Sequence, residues 1–158
     1  MVAMRRAEKR CEDKAELEAF LKRIQHMQIA INTGDAPYVL PINFTYSNNS
    51  LLVHSAPVGR KIELLKKSPV VGWTVNEQIA IRQHETDPNR TGTYYNSVIG
   101  TAKATFIDDE TEKTRHLNTL LEKYTKHKDA TFPSEMLSKL VVIRFDIIEM
   151  DFKIARQN

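Results

Sequence analysis

The chain has very little cysteine and no long apolar run. Its one cysteine, Cys11, excludes an internal disulfide and any metal site built from several cysteines. No segment approaches the roughly 18 consecutive apolar residues of a membrane span. The N-terminus is basic but has no apolar stretch behind its charges, so it is unlike a secretory signal. These absences predict a cytoplasmic protein with reduced thiols and no membrane segment.

A strong charge of one sign is also lacking from most of the chain. Lys and Arg number 23 against 20 Asp and Glu, which gives a net charge of +3. Four cations and Glu8 within the first ten residues account for all of it. We therefore predict a basic N-terminal arm over residues 1–12 and a body without the field that nucleic-acid binding requires. Because the pI is near 9.0, a small β-barrel that binds nucleic acid stays an alternative.

The 158 residues, 41% of them apolar, are enough for one domain with a sizeable core. No repeat or linker divides the chain, so residues 1–158 are predicted to form a single domain. Helical patterns begin at the capping pair Asp13 and Glu16, at Arg60, after Asp109 and near Ser134. Strand patterns cover residues 27–32, 38–46, 51–55, 70–76, 94–107, 140–148 and 152–155, and residues 82–93 are predicted to be a loop.

About six strands joined mostly by short turns predict a mainly β fold with α-helices. The first predicted hairpin is antiparallel, and no glycine-rich phosphate loop follows the first strand, which disfavours a doubly wound parallel sheet. The pattern favours a closed or nearly closed antiparallel β-barrel with flanking helices.

The segment His54–Lys61 is the most informative for function. A strand ends there, Gly59 permits a close approach, and a helix begins with the two cations Arg60 and Lys61. A helix N-terminus offers unpaired N–H groups and the positive end of the helix dipole. Two cations oppose that dipole unless an anion is present, so the segment predicts a site for a small phosphate monoester.

Two further strand segments are candidates for the same site. Pro41 removes one backbone N–H from the run Pro41–Phe44, which predicts an edge strand with an open side. In the run Tyr94–Gly100, Tyr95, Ser97 and Ile99 share one face of an extended chain. The five histidines show no metal-binding spacing, and no nucleophile motif surrounds Ser55 or Ser97, so neither a metal site nor covalent catalysis is predicted.

The motif HSAxxGRKxxL at residues 54–64, preceded by PxNFxY at residues 41–46, resembles the flavin-binding split-barrel superfamily of pyridoxamine 5′-phosphate oxidase. Within that superfamily the chain is most similar to the nitroimidazole-resistance (Nim-type) branch. The opening Met4-Arg5-Arg6, the motif YxSVIG at residues 95–100 and the closing strand at 140–148 support this.

The resemblance implies a six-stranded antiparallel split barrel that forms a homodimer, with two FMN sites at the subunit interface. It assigns the FMN phosphate to Arg60 and Lys61, and places Tyr95 and Ser97 near the phosphate or ribityl chain. The isoalloxazine ring is assigned to the backbone of two runs: Pro41, Ile42 and Asn43, and His54, Ser55 and Ala56.

Two segments depart from the family pattern. Residues 87–93 lack the tryptophan- and arginine-containing stretch of Nim-type proteins, so the loop over the flavin is expected to differ. The chain ends without the Arg-x-Pro pattern that pyridoxamine phosphate oxidases use to hold their substrate, so we do not expect vitamin B6 oxidation.

The resulting prediction is a flavoprotein that passes hydride from a nicotinamide donor to a small acceptor such as a nitroaromatic. His54 is a candidate proton donor, although this scheme does not require an acid or a base. A flavin- or haem-binding module without turnover is the first alternative, and the nucleic-acid-binding β-barrel is the second.

Overall fold

The computed structural model describes residues 6–156; residues 1–5 of the predicted basic arm lie outside the described part. Residues 6–12, called here the N-terminal segment, contain a 3₁₀ helix at Ala7–Lys9. A second 3₁₀ helix covers Pro88–Arg90. The helices are α1 (Lys14–Arg23), α2 (Arg60–Lys67), α3 (Glu110–Tyr124) and α4 (Ser134–Ser138). The strands are β1 (His26–Ile31), β2 (Tyr38–Asn43), β3 (Thr45–Ser47), β4 (Ser50–Ser55), β5 (Val70–Arg82), β6 (Gly92–Ile107) and β7 (Val141–Ala155).

All seven strands belong to one antiparallel sheet with the order β2-β1-β5-β6-β7-β4-β3. Its two edge strands, β2 and β3, follow each other along the chain but are not hydrogen-bonded to each other. The mainly β fold with helices is confirmed, and the open sheet is consistent with a split barrel. The edge position predicted for Pro41 is also confirmed, because β1 is the only strand among residues 6–156 that pairs with β2.

The predicted count of six strands is wrong, because the strand predicted over residues 38–46 is divided at Phe44. The hydroxyl of Tyr124, on α3, accepts a hydrogen bond from the Phe44 N–H at 2.8 Å and lies 2.7 Å from the Phe44 carbonyl oxygen. A side chain therefore satisfies the two backbone groups that a neighbouring strand would otherwise bind. The chain bends at this point, and β2 and β3 occupy opposite edges of the sheet.

Two other strand boundaries differ from prediction. β5 continues six residues beyond the predicted Asn76 and forms a long hairpin with the start of β6. Its added residues Ile79 and Ile81 are both exposed, so this part of the strand extends beyond the hydrophobic core. The two strands predicted after residue 140 are one, β7, with a register shift that leaves Ile148 as the extra residue of a bulge.

The main core fills the barrel interior with alternate residues of the strands, including Met27, Ile29 and Val98. Phe20 of α1 and Ile62 of α2 cover this core. A smaller cluster lies between the outside of the sheet and the helices α3 and α4. The Asp13 carboxylate accepts hydrogen bonds from the N–H groups of the first turn of α1, which confirms the predicted cap at Asp13; the Glu16 carboxylate is bound to Arg156 and does not complete the predicted capping pair.

A glycine inside a strand indicates either a bulge or a close approach; at Gly100 there is no bulge, because the register shift between β6 and β7 begins one residue later, after Thr101. The glycine is needed for a close approach instead. A Cβ atom at this position would lie 2.8 Å from Nε1 of Trp73 and closer still to the carbonyl oxygen of Glu149. The indole ring and the backbone of β7 therefore occupy the space that any larger residue needs.

None of the helices in the described residues is both long and apolar enough to cross a membrane.

Candidate functional site

The sheet is open between β2 and residues 53–55 of β4, and this gap is called the split here. Two predicted flavin-binding segments have backbone groups along it. Thr45 pairs with Leu52, and the same register, if continued, would place Asn43 opposite His54. β2 turns away at Phe44 and pairs with β1 instead. Residues 53–55 of β4 consequently pair only with β7, and β2 pairs only with β1. Backbone groups of both runs are thus available along the split, where a planar heterocycle with donors and acceptors on its rim can bind them.

The helix α2 begins directly beyond the open edge of β4. Gly59 precedes it with φ of +113°, a value that glycine adopts readily. No side chain caps this helix. Within the described residues, the N–H groups of Arg60 and Lys61 have no acceptor. The start of α2 therefore combines free donors with the positive end of the helix dipole.

The two cations at this helix start differ in their surroundings. The Arg60 guanidinium is exposed and lies 4.6 Å from the centre of the Tyr38 ring, on β2. Lys61 is half-buried, and this burial lowers the pKa of its ammonium group. Among residues 6–156, no carboxylate or carbonyl oxygen compensates the Lys61 charge. An anion bound here would supply that missing partner.

Tyr95 and Ser97 lie on the outside of the sheet, together with two of the predicted residues of β2. Asn43 pairs with His26, and Ser97 pairs with Asn76; the β1–β5 register, which begins at Gln28 and Thr74, would place His26 opposite Asn76 if continued by two residues. Paired residues of neighbouring strands point to the same face. Pro41 belongs to the next row on this face, whereas Ile42 points to the opposite, core face. The shared face that was predicted for Tyr95, Ser97 and Ile99 is confirmed, since Val98 between them is buried and Ile99 is 50% exposed.

The structure therefore separates the predicted site into two parts within one chain. Asn43 and Ser97 are three strand spacings apart, roughly 14 Å at about 4.8 Å per strand. Arg60 lies beside the split, whereas Tyr95 and Ser97 line a shallow cleft of about 350 Å³ on the outer face. A second copy of the chain could bring the outer-face residues to the split.

The side chain of His54 is exposed and makes no hydrogen bond within residues 6–156. Its neighbours Val53 and Ser55 point to the opposite face of β4. His54 pairs with Val142, which is buried beneath α3 and α4. The predicted role of its backbone is compatible with this position, and the proposed role of its imidazole stays a prediction.

Sequence reasoning missed a second charged region at the far end of the β5–β6 hairpin. A cleft of about 970 Å³ lies there between the hairpin and the N-terminal segment, and Arg6, Lys9 and Arg82 line it. The only sequence signal was the excess of positive charge in the first ten residues. Arg82 gave none, because it lies in a stretch predicted to be a loop. Within the described residues, no group of three or more His, Cys, Asp or Glu is placed to hold a metal ion.

The pyridoxamine 5′-phosphate oxidase family matches residues 13–154. The chain belongs to this family. The matched residues contain all four α-helices and all seven strands, apart from the last residue of β7. The match confirms the resemblance to the FMN-binding split-barrel superfamily. No curated protein matches the chain significantly.

Solved structures support the same placement. A protein from Bacteroides thetaiotaomicron whose proposed role is 5-nitroimidazole antibiotic resistance is 26% identical, with a TM-score of 0.81; the match covers 92% of this chain and 86% of that one. An FAD- and haem-binding protein from Mycobacterium smegmatis is 15% identical, with a TM-score of 0.83 and coverage of 94% and 74%. A flavocytochrome from Azotobacter vinelandii is 17% identical, with a TM-score of 0.82 and coverage of 98% and 73%. The last two likenesses concern the fold alone.

Proposed function

We propose that this protein is an FMN-binding oxidoreductase that acts as a homodimer, with each flavin at the subunit interface. The observation that carries the proposal is Lys61, a half-buried ammonium group without a partner in the described chain. It stands at an uncapped helix N-terminus beside two open strand edges. Burying a cation is costly unless an opposite charge compensates it, and the phosphate of FMN is such a charge.

Each part of the flavin has a matching group in the chain. The N–H groups at the start of α2 and the cations Arg60 and Lys61 bind the phosphate. Backbone groups of residues 41–43 and 54–56 bind the polar rim of the isoalloxazine ring. Donors near the pyrimidine side of that ring stabilise the negative charge of the reduced form. The protein thereby orients the cofactor and adjusts its electron affinity.

The dimer follows from the division of the site between the split and the outer face. Tyr95 and Ser97 reach a flavin held at the split only if a second copy presents them. The outer face suits such a contact, because it carries the exposed Val39 and Ile99 beside small residues, among them Gly72. Small side chains allow two sheets to approach closely.

When bound, FMN supplies two-electron redox chemistry between a nicotinamide donor and an acceptor. We assign no acid or base to this reaction, and the residues at the split serve binding and orientation. A nitroaromatic compound is the acceptor we propose, because the chain is similar to the Bacteroides protein whose proposed role is 5-nitroimidazole resistance. A flavin- or haem-binding role without turnover is a second candidate, since two neighbours in fold are described as binding flavin and haem or as a flavocytochrome.

The first test is the absorption spectrum of the purified full chain, with mass spectrometry of the released cofactor. We expect flavin absorption and the mass of FMN, and reduction of the flavin by NADH or NADPH. A Soret band would support the second candidate. A colourless protein that takes up neither flavin nor haem would overturn both.

The second test uses substitutions at the phosphate site. Arg60→Ala is expected to weaken FMN binding by about 10- to 150-fold, the value of one charge-assisted hydrogen bond. Lys61→Met is expected to weaken binding similarly while leaving the flavin-free protein at least as stable, since it removes a cation that burial disfavours. Arg115→Ala, which removes an exposed arginine of α3, is the matched control. Unchanged affinity in both site variants would refute the phosphate assignment.

A further inference from the structure

The large cleft beside the N-terminal segment has an uneven balance of charge. Five cations line its volume of about 970 Å³ against one carboxylate, that of Glu8. The N-terminal segment forms one wall because it is fixed to β7: the Cys11 N–H donates to the Phe152 carbonyl at 2.9 Å, and Arg10 forms an ion pair with Asp151. The end of the β5–β6 hairpin forms the opposite wall.

Three of the five cations have no ion-pair partner in the described chain. Arg10 is paired with Asp151, and Arg156 with Glu16 at 2.8 Å. Arg6, Lys9 and Arg82 form no ion pair with any carboxylate among residues 6–156. The Arg82 guanidinium donates only to the Arg90 carbonyl at 3.2 Å, and the Lys9 ammonium lies 5.3 Å from the centre of the Tyr95 ring. Like charges in one cleft repel each other, and an anion with several charges relieves that repulsion.

We propose that this cleft binds the pyrophosphate group of a nucleotide through Arg6, Lys9 and Arg82. Guanidinium groups bind phosphate oxygens in pairs, and an ammonium adds a compact charge. The volume is far larger than one phosphate needs and suits a ligand of nucleotide size. Tyr94 and Tyr95 also line the cleft and provide aromatic surface for a base. The pyrophosphate belongs either to a nucleoside diphosphate or to a nicotinamide dinucleotide.

This site is distinct from the phosphate site at α2. Tyr38, whose ring contacts Arg60, pairs with Ile31 of β1, and Ile31 pairs in turn with Val71 of β5. Arg82 lies eleven residues further along the same strand, roughly 36 Å at about 3.3 Å per residue. One ligand of nucleotide size cannot bridge that distance within one chain. Within one chain the cleft is therefore separate from the phosphate site at α2; in the proposed dimer the two sites share Tyr95, so the variants that distinguish them are Arg82→Gln and Arg60→Ala.

The test is calorimetric titration of the purified full chain with three probes: inorganic pyrophosphate, ADP and NADPH. We expect all three to bind, and Arg82→Gln and Lys9→Gln each to weaken binding about tenfold or more. Tighter binding of ADP than of NADPH would identify a nucleoside diphosphate, and the reverse a dinucleotide. Lys128→Gln, at an exposed lysine in the segment after α3, is the control and should change nothing.

Flavin affinity measured in the same variants separates this proposal from the proposed function. Arg82→Gln should retain it, and Arg60→Ala should lose flavin affinity while retaining pyrophosphate binding. Absence of binding by all three probes, or binding that both cleft variants leave unchanged, would overturn the proposal. Tighter binding of a single-stranded oligonucleotide than of ADP, lost in Arg82→Gln, would also overturn it, because the cleft would then serve a polymer.

Discussion

At the scale of single residues, the surroundings of a side chain indicate a binding site more clearly than the residue type does. Arg60 and Lys61 are adjacent cations in the sequence, yet Arg60 is exposed against the Tyr38 ring and Lys61 is half-buried without a partner. Only the buried cation points to a missing anion. The same holds for the glycines Gly72 and Gly100, which look equivalent in the sequence and have very different space around them.

Gly100→Ala should destabilise the fold of each subunit, whereas Gly72→Ala should leave that fold unchanged and act only on the proposed dimer contact. A Cβ atom at Gly100 meets the Trp73 indole nitrogen and the backbone of Glu149, and one at Gly72 meets only the Ala30 Cβ at 3.9 Å. Overpacking of this kind costs about 1–3 kcal/mol. Chemical denaturation of the two variants at equal protein concentration measures the difference. Equal stability of the Gly100→Ala and Gly72→Ala variants would show that the backbone around Gly100 moves to accommodate the added methyl group.

Lys123 should make the stability of the protein depend on pH in the alkaline range. Its ammonium lies 3.9 Å from the centre of the Phe44 ring and donates to the Leu21 carbonyl at 3.2 Å. Burial lowers the pKa of Lys123 to about 8, against about 10.4 in an unfolded chain. The unfolded state therefore binds more protons between these values, and the free energy of unfolding rises with pH across that window.

The free energy of unfolding is expected to rise by at most about 3 kcal/mol across this pH range. The Phe44 ring favours the charged form of Lys123 and therefore reduces this rise. The measurement compares denaturation from pH 7 to pH 10.5 in the native protein and in Lys123→Met. Tyr124, whose pKa burial raises, is present in both proteins, so its effect cancels. The same pH dependence in the two proteins would contradict the assignment to Lys123.

At the scale of the elements, one hydroxyl group on α3 determines where the sheet is open. The Tyr124 hydroxyl accepts a hydrogen bond from the Phe44 N–H, and its single proton is shared between the carbonyl oxygens of Phe44 and Gln25. Because it replaces a neighbouring strand at this point, β2 and β3 separate there. The open edges proposed to bind the flavin exist as a consequence of that separation.

Tyr124→Phe should lower the free energy of unfolding by about 1–3 kcal/mol, because it leaves the Phe44 N–H and carbonyl without this partner. Tyr38→Phe is the matched control, since the Tyr38 hydroxyl makes no hydrogen bond in the described residues. Hydrogen exchange gives a second measure: the Phe44 amide should exchange faster in Tyr124→Phe alone. An unchanged exchange rate would mean that another group protects this amide.

At the scale of the whole molecule, the proposed dimer would combine residues of two chains in each flavin site. The split would provide the phosphate and ring contacts, and the outer face of the second chain's sheet would provide Tyr95 and Ser97. The exposed Ile99 lies on that face beside Ser97. The proposed dimer would bury it.

Ile99→Glu should therefore dissociate the dimer and reduce flavin binding together, while the monomer stays folded because Ile99 is 50% exposed in it. Met136→Glu, at a similarly exposed residue of α4, should do neither. Sedimentation velocity and flavin fluorescence measure the two effects on one sample. A dimer that persists in Ile99→Glu would place the interface elsewhere.

Much of the local structure is determined by the sequence, because short-range signals specify it. Asp13 caps α1, Pro41 lies on an edge strand, and the cations Arg60 and Lys61 open a helix after a strand. Each of these follows from the backbone chemistry of a few consecutive residues. The fold class follows from the sequence as well. Seven strand patterns joined mostly by short connections predict an antiparallel sheet, because parallel strands need long crossover connections.

Only the tertiary structure decided the features that depend on residues distant in the sequence. The division of one predicted strand at Phe44 requires Tyr124, 80 residues away. The basic cleft requires Arg82 to meet Arg6 and Lys9, and the separation of Ser97 from Arg60 requires the order of the strands. Hydrogen bonds and charges act through space, so the sequence determined which groups are present, and the packing of the sheet decided which of them meet.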